Sequence, residues 1–430
     1  MRKQIFRVIQ WLFVLSLIIT AQSLSELMTR LGENNMELNS RFWRQKQSEA
    51  QWASQKGLLW PTLSFQAQYN YVSEVLNVSF QPVPTAPAVG FSLGQHDAYK
   101  TALPVGYALF NGFKIQSAID AAYLKSKLAA TEYARAYKEQ ALKAATLYRR
   151  IQEMNLRKKI VNAALKRLTI HGRILHALIQ QGLARKVDSL DIRLKRLQLK
   201  QKTVQLDNTQ KQLQRALDRL FGFHVTVAPF EESLPVTAPE WQEKQVEAWQ
   251  ALDWQERLMA KQKEIEKASY WPRITAGASY IYGKPGVDVI RNEWMDYYVA
   301  GVNLSWDIWS GMKNRHAVEA ADYGQKALAL QKKALSEAWH QRFEDKKDAW
   351  QTLKSDLTVR KEQVALNREK WRLLKAEVEQ GRARPSELEE ASLNLTEAEL
   401  NLAALKIAVK TEYNEMEFLS GKPVADWRLK

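Results

Sequence analysis

Cysteine is absent from all 430 residues, which excludes thiol nucleophiles, cysteine-ligated zinc, iron–sulfur clusters, disulfides and an acylated N-terminal cysteine. Histidine is scarce, with six in total. His171 with His176, and His340 with Glu344, have no third ligand or nucleophile at a recognisable spacing, so no metal site, cofactor or catalytic centre is expected. No glycine loop suited to cradling phosphate is present, so no nucleotide hydrolysis is expected either. Glycine and proline number only 17 and 12, as in a chain of long helices with few turns. Apolar runs are short: the longest, Trp11 to Ala21, falls well below the ~20 residues of a membrane-spanning helix. It follows the basic Met1-Arg2-Lys3 and precedes small residues, so residues 1–22 read as a secretory signal peptide.

What the chain has in plenty is positive charge, 63 Lys plus Arg against 47 Asp plus Glu. Export and the lack of a base-reading motif argue against a nucleic-acid partner. The excess is confined to one stretch. Lys114 to Phe221 carries 24 basic and 8 acidic residues, whereas Lys313 to Leu419 carries 19 of each.

These two stretches belong to an internal repeat. Asn111-Gly112-Phe113-Lys114 aligns with Ser310-Gly311-Met312-Lys313, Gln181-Gly182-Leu183-Ala184-Arg185 with Gln380-Gly381-Arg382-Ala383-Arg384, and Leu220-Phe221-Gly222 with Leu419-Ser420-Gly421, all at an offset of 199. Upstream, Trp60-Pro61 pairs with Trp271-Pro272 at an offset of 211. The expected organisation is a first repeat over 23–222, a proline-containing connection over 223–239, a second repeat over 240–422 and a tail over 423–430.

Each repeat opens with segments of period two. Leu63, Phe65, Ala67, Tyr69 and Tyr71 alternate with Thr62, Ser64, Gln66, Gln68 and Asn70; Ile274 to Tyr282 and Tyr298 to Ile308 alternate likewise, while Tyr99 to Phe110 is interrupted by Pro104 and Gly106. Strands of about ten residues with Trp and Tyr near their ends have the trim of outer-membrane barrel strands. After each strand pair comes a proline-free helical stretch, Gly112 to Gln181 in the first repeat, with apolar residues at coiled-coil spacing. At ~1.5 Å per residue it would be roughly 105 Å long against about 54 Å for the return helix Lys186 to Phe221. Helical stretches Glu26 to Lys56 and Glu240 to Ala268, ~45 Å each, can make up the difference. In the second return helix Leu388, Ala391, Leu395, Ala398, Leu402, Leu405, Val409, Met416 and Leu419 keep a heptad, with Glu412 polar at its place.

Four strands per chain cannot close a barrel, and an open edge in lipid leaves costly unpaired backbone groups. Two copies would give eight strands around a filled interior; three give twelve around a wet lumen, which the alternating Thr, Ser, Gln and Asn residues suit. The expected fold is an α+β membrane protein. It is a trimeric 12-stranded outer-membrane β-barrel, four strands per chain, continuing into a long α-helical coiled-coil periplasmic tunnel, with two internal structural repeats.

With its paired glycine-led turns at Gly182 and Gly381, its Trp-Pro starts to the strands and its Leu-x-Gly closes, the sequence resembles the TolC-like outer-membrane efflux protein family from about Leu24 to Pro423. The resemblance implies a homotrimer in the outer membrane of a Gram-negative bacterium, with its helical part in the periplasm, acting as the passive exit duct of a tripartite efflux or type I secretion system. It also implies a periplasmic adaptor and an inner-membrane transporter as partners, outer-membrane lipid around the barrel, and turns 182–188 and 381–387 at the periplasmic tip. The rival reading is a periplasmic coiled-coil adaptor or scaffold that conducts nothing. In some family members acidic residues after the second tip turn narrow the entrance; the positions that fit are Glu387 and Glu390, with Asp188 beside them. Lying three apart, Glu387 and Glu390 share a helix face, and repeated around a threefold axis they would favour cations. The bland alternative is a capping box, Ser386-x-x-Glu389, with acids complementing the helix dipole; Asp188 with Asp191 has the same alternative. Arg185 and Arg384 occupy equivalent places and could bridge to these acids, contact an adaptor helix or simply be solvated.

Overall fold

The computed structural model describes residues 22–80, 89–288 and 291–428. The expected signal peptide lies outside these residues apart from Gln22. The first half runs α1 (Leu24–Asn34), α2 (Met36–Lys56), β1 (Thr62–Leu63), β2 (Gln66–Tyr71), β3 (Leu76–Phe80), β4 (Val89–Leu93), β5 (Asp97–Phe110), α3 (Lys114–Gln180) and α4 (Lys186–Phe221). The second half runs α5 (Glu247–Lys267), β6 (Arg273–Lys284), β7 (Met295–Ser305), α6 (Lys313–Glu379) and α7 (Pro385–Leu419). Left-handed backbone recurs at the 199-residue offset found in the sequence: φ is +63° at both Gly112 and Gly311, +66° at Phe113 and +67° at Met312, +78° at Gly182 and +69° at Gly381, +75° at Gly222 and +86° at Gly421. Both long helices, α3 and α6, span 67 residues. The chain divides into two compact units, one of residues 45–129 and 252–331, the other of the described residues up to 44, 130–251 and 332–428.

The strand-bearing unit holds an antiparallel sheet in which β5 pairs with β1 and β2 on one side and with β6 on the other, and β6 pairs with β7. The register brings one residue set to each face. Leu103, Tyr280 and Tyr298 stand in one row and Tyr107, Ala276 and Val302 in another. The opposite face carries Gln68 beside Lys100, and Ala108, Thr275 and Asn303 in line. A row of Thr62, Gly106, Gly277 and Gly301 crosses that second face nearly bare of side chains. The apolar face lies open to the surroundings in the single chain: Tyr298 is 82% exposed and Val302 67%.

The strand expected at Tyr99 to Phe110 despite Pro104 and Gly106 lies within the longest one, β5, of 14 residues. Pro104 is accommodated because its carbonyl accepts the Ser64 N–H at 3.1 Å. With no N–H to give back, Pro104 breaks the ladder on that side, and the first strand is interrupted there, between β1 and β2. A separate hairpin, β3 with β4, stands between the first two sheet strands and was not expected. The last strand ends at Ser305, short of Ile308.

In the helical unit, Asn35 divides the expected single helix at 26–56. Its side-chain oxygen accepts the Leu38 N–H at 3.0 Å and its amide donates to the Leu220 carbonyl at 3.0 Å, so it starts α2 and ties it to the end of α4. Likewise α5 starts at Glu247 rather than 240, after a short 3₁₀ turn at Glu243–Gln245. Leu24, Leu27, Met28 and Leu31 of α1 pack into a core with Tyr148 and Ile151 of α3 and Leu217 and Phe221 of α4. Fully buried Ala141, Ala144 and Ala145 line the α3 side of it, and small side chains there allow close helix approach. The Tyr148 hydroxyl joins two segments, donating to the Gln22 carbonyl at 2.8 Å and accepting the Ala228 N–H at 2.9 Å.

The heptad of α7 is buried as expected at Leu388, Ala391, Leu395, Val409, Met416 and Leu419. A second row, unforeseen, is buried too and is partly polar: Lys410, Asn414 and Glu417. Lys410 donates to the Glu231 carbonyl at 2.7 Å and lies over the Phe230 ring; burial, then the nearby Arg149 guanidinium, brings its pKa down to about 8. Glu417 accepts the Arg428 N–H at 2.8 Å. Glu412, the heptad's polar exception, pairs with Lys346 at 2.9 Å.

Tyr148→Phe leaves a half-buried N–H and a half-buried C=O without their shared partner, so a loss of about 1 kcal/mol is expected. Thermal melting followed by the helical circular-dichroism signal reads it as a lowered Tm, against an unchanged Tm for an exposed control such as Tyr323→Phe.

Candidate functional site: the hairpin tips

The turns joining α3 to α4 (hairpin one) and α6 to α7 (hairpin two) share one construction. The Gly182 N–H donates to the Ile179 carbonyl at 3.1 Å and the Leu183 N–H reaches back to Leu178 at 2.9 Å; in the second turn Gly381 bonds Val378 at 3.0 Å and Arg382 bonds Glu377 at 2.8 Å. These bonds close the helix ends only if the glycine adopts positive φ, a conformation strained for any residue with a Cβ.

Beyond the glycines the turns diverge. Arg185 precedes α4, and both its groups hold Asp188: the backbone N–H donates to Oδ2 at 3.2 Å and the guanidinium to Oδ1 at 2.9 Å. In the second turn Arg384 is the cap residue and Pro385 sits in the first helical turn, the position for which its fixed φ is suited. Ser386 therefore lies inside α7 and the Ser386–Glu389 capping box weighed as an alternative does not form. Arg384, Glu387 and Glu390 are exposed in the single chain.

Glu389, taken from sequence as a cap partner, is the acid that faces the other hairpin. It is half-buried, and the charges acting on it are Lys195, Asp191 and Asp188 of α4. Burial pushes its pKa up, Lys195 opposes this, and the two aspartates add to the rise.

Behind the turns Leu178, Val378 and Leu388 form an apolar cluster with Ile174, Trp371 and Leu374. Further along, Arg167 of α3 donates to the Thr396 hydroxyl at 2.8 Å and to Glu399 at 3.2 Å, while Arg368 of α6 holds the other oxygen of Glu399 at 3.1 Å. Arg167 and Glu399 side chains are only 12% and 14% exposed, so this carboxylate is a partly desolvated rivet between the hairpins, where a charge-assisted pair is stronger than at the surface. Neither the contact of Glu389 with α4 nor this rivet was picked out in the sequence, because each depends on the register of one hairpin against the other. The histidines serve elsewhere: His171 is buried, which holds its pKa down, His176 shares a hydrogen bond with Gln180, and His340 meets the Trp241 ring edge-on while Glu344 pairs with Lys347. Among the described residues no group of three or more His, Asp or Glu could hold a metal.

The raised pKa of Glu389 fixes a sign. As pH falls, its folded-state carboxyl takes up a proton before an unfolded one would, and the repulsion from Asp188 and Asp191 is relieved; the contact is weakest above the folded pKa and strongest below the unfolded one. Acidification from neutral pH is therefore expected to strengthen the packing of Glu389 against α4, read as a rising Tm of the helical circular-dichroism signal, whereas Glu389→Gln gives the higher Tm already at neutral pH with a flatter profile across that range.

Comparison with known proteins agrees with this geometry. The family model described as outer membrane efflux protein matches residues 27–223 and 247–422. No curated protein matches the sequence. Among solved structures, the chain is similar to CusC, a protein studied for folding and transmembrane channel formation, with 12% identity, coverage of 94% of this chain and 93% of that one, and a TM-score of 0.79. It is also similar to VceC, an outer membrane protein of Vibrio cholerae (16% identity, 93% and 96% coverage, TM-score 0.75). The open-state MtrE outer membrane channel of Neisseria gonorrhoeae is a third (14% identity, 94% and 89% coverage, TM-score 0.75). The match covers both halves of the chain, strands and helical hairpins together, and the protein belongs to the outer membrane efflux protein family, as an exit duct of the outer membrane.

Proposed function

We propose that three copies of this chain form the duct, each contributing four strands to a twelve-stranded barrel and two helical hairpins to a periplasmic tunnel, through which cargo delivered by an inner-membrane transporter and its periplasmic adaptor passes without energy input from the duct itself. The observation that carries this reading is the sheet. Its register gathers large apolar side chains on one face and mostly small or polar ones on the other, the row Ala102, Ile281 and Tyr297 excepted, while its two outer edges, β1–β2 and β7, have no strand partner among the described residues. In lipid such edges must pair, and pairing β7 of one copy with β1–β2 of the next satisfies both, puts the apolar face toward lipid and leaves the polar face around a lumen. A soluble scaffold would have to leave the same apolar face in water.

The tips are the gate in this proposal. At the 199-residue offset Arg185 corresponds to Arg384, Asp188 to Glu387 and Asp191 to Glu390, so around a threefold axis basic and acidic residues recur at every hairpin. Asp188, Glu387, Glu390, Arg185 and Arg384 form the constricting layer, with Gly182 and Gly381 as the turns that carry it. Cargo choice rests with the transporter, since the lumen-facing set is generically polar.

Extraction with detergent and measurement of native mass is expected to give three copies per particle that precipitate once detergent is removed; a particle soluble without detergent would contradict the barrel. In planar bilayers Glu387→Ala with Glu390→Ala is expected to reduce cation over anion selectivity severalfold, and unchanged selectivity would remove these residues from the constriction.

A further inference from the structure

The charges of the sheet are sorted by face. Its strands carry Asp97 and Lys100 on β5, Arg273 and Lys284 on β6, and Asp296 on β7. Strand alternation puts Asp97, Lys284 and Asp296 on the face of Leu103, Tyr280 and Tyr298. Both acids are held there by tyrosines of that face, Asp97 accepting the Tyr69 hydroxyl at 2.7 Å and Asp296 that of Tyr280 at 3.3 Å. Lys100 and Arg273 stand on the opposite face, exposed, and neither has an ion-pair partner among the described residues. The face assigned to the lumen therefore carries only basic charge on its strands.

An apolar field adjoins one of these cations. The lumen-side residues that follow one another along β7 are Met295, Tyr297 and Val299. Tyr297 shares a row with Ile281 and Ala102, which are 7% and 8% exposed. Val299 lies in the next row, with Ser279 and Pro104. Lys100 belongs to the row on the other side of Tyr297, level with Met295, and Gly283 between them adds no side chain. Rows on one face of a sheet are two residues apart, ~7 Å, so the ammonium group borders the apolar field. Because β5 leads through Phe110 into α3, the field lies toward the end of the sheet remote from the helices. A wall that only had to stay wet would not place apolar side chains beside an unpaired cation; the combination marks a surface that takes a ligand.

Resting on the duct proposed above, in which this face looks into the lumen, we infer that Lys100 with Ala102, Ile281, Tyr297 and Val299 forms a site for amphipathic organic anions, repeated once in each copy. The anionic group pairs with the Lys100 ammonium, and the apolar body lies over Ile281 and Tyr297, removing both surfaces from water. A small hydrophilic anion gains only the first contact. An apolar cation gains only the second and is repelled by Lys100, with no acid on the strands of that face to offset it. The sign is opposite to that of the carboxylates proposed at the tips, so the two ends of the duct discriminate by different charges. The transporter still decides what enters; the site holds amphipathic anions near the outer end of the passage.

Because the chain has no cysteine, a single introduced thiol reports on one place in the wall. In outer-membrane fragments holding the full-length protein, Val299→Cys is expected to react with a neutral, lipid-insoluble maleimide, and saturating naphthalene-2-sulfonate to slow that reaction about fivefold. Methanesulfonate, with the same charge and no rings, and a naphthyl trimethylammonium ion, with the same rings and the opposite charge, are expected to leave the rate nearly unchanged. Adding Lys100→Gln, or separately Ile281→Ser, is expected to abolish the protection without altering the unprotected rate. Ser279→Cys, in the same row, serves if Val299→Cys fails to assemble. Absence of protection, equal protection by the naphthyl cation, or protection that survives Lys100→Gln would overturn the site and leave the duct intact. Val302→Cys, on the opposite face, tests the duct itself: a Val299→Cys that reacts no faster than Val302→Cys would overturn the facing of the sheet and the site together.

Discussion

A strand edge cannot be left open in hydrocarbon, and most of this chain's architecture follows from that constraint. Four strands make a sheet with two such edges, and each unpaired backbone group buried in lipid costs several kcal/mol. The remedy has to come from other copies. Association in turn sets what the helices must do, because hairpins attached to neighbouring strand pairs are brought side by side and need surfaces that fit whether the neighbour is in the same chain or the next.

Within the helical unit the apolar and polar interiors do different work. The core around α1, Tyr148 and Phe221 is dry and alanine-lined on one side, fixing where α1 and the end of α4 lie. The buried row Lys410, Asn414 and Glu417 of α7 is held largely by backbone groups, the Glu231 carbonyl and the Arg428 N–H among them. Charges satisfied by backbone partners tie down connections that have no regular structure of their own. Toward the tip the apolar cluster is small, and the Arg167–Glu399–Arg368 rivet joins helices of both hairpins. Few buried contacts and a polar fastening are the features expected of a region that opens more easily than the rest.

Much of the fold was legible in the sequence, and the places where it was not share a cause. Alternation marked β6 and β2 because period two is a local property, and glycines at a constant offset marked the turns because left-handed backbone admits few residues. Pro104 made β5 fit the alternation less cleanly without excluding it, since the rule that bars proline from strands concerns only the side on which an N–H is required. Asn35 hid the break between α1 and α2, because its role depends on a carbonyl 185 residues away at Leu220. At the tips, Arg185, Asp188, Glu387 and Glu390 were proposed from their place after a turn, with a Ser386–Glu389 cap as the alternative, and that cap does not form. Pro385 moves the helix start upstream of Ser386, and which acid then points across to α4 is settled by the packing of one hairpin on another.

The row of Thr62, Gly106, Gly277 and Gly301 gives the barrel a property beyond passage. Side chains on the polar face of a sheet act as fenders: they narrow the bore and offer a moving solute places to catch. Where three neighbouring strands present only hydrogen atoms at one level, the wall thins to its peptide backbone, and a girdle of this kind repeated in every copy would be the widest and smoothest part of the conduit. It would also be the most pliable, because glycine resists bending of a strand less than any other residue. A duct held in a stiff outer membrane gains there a place to absorb torsion without parting its strands.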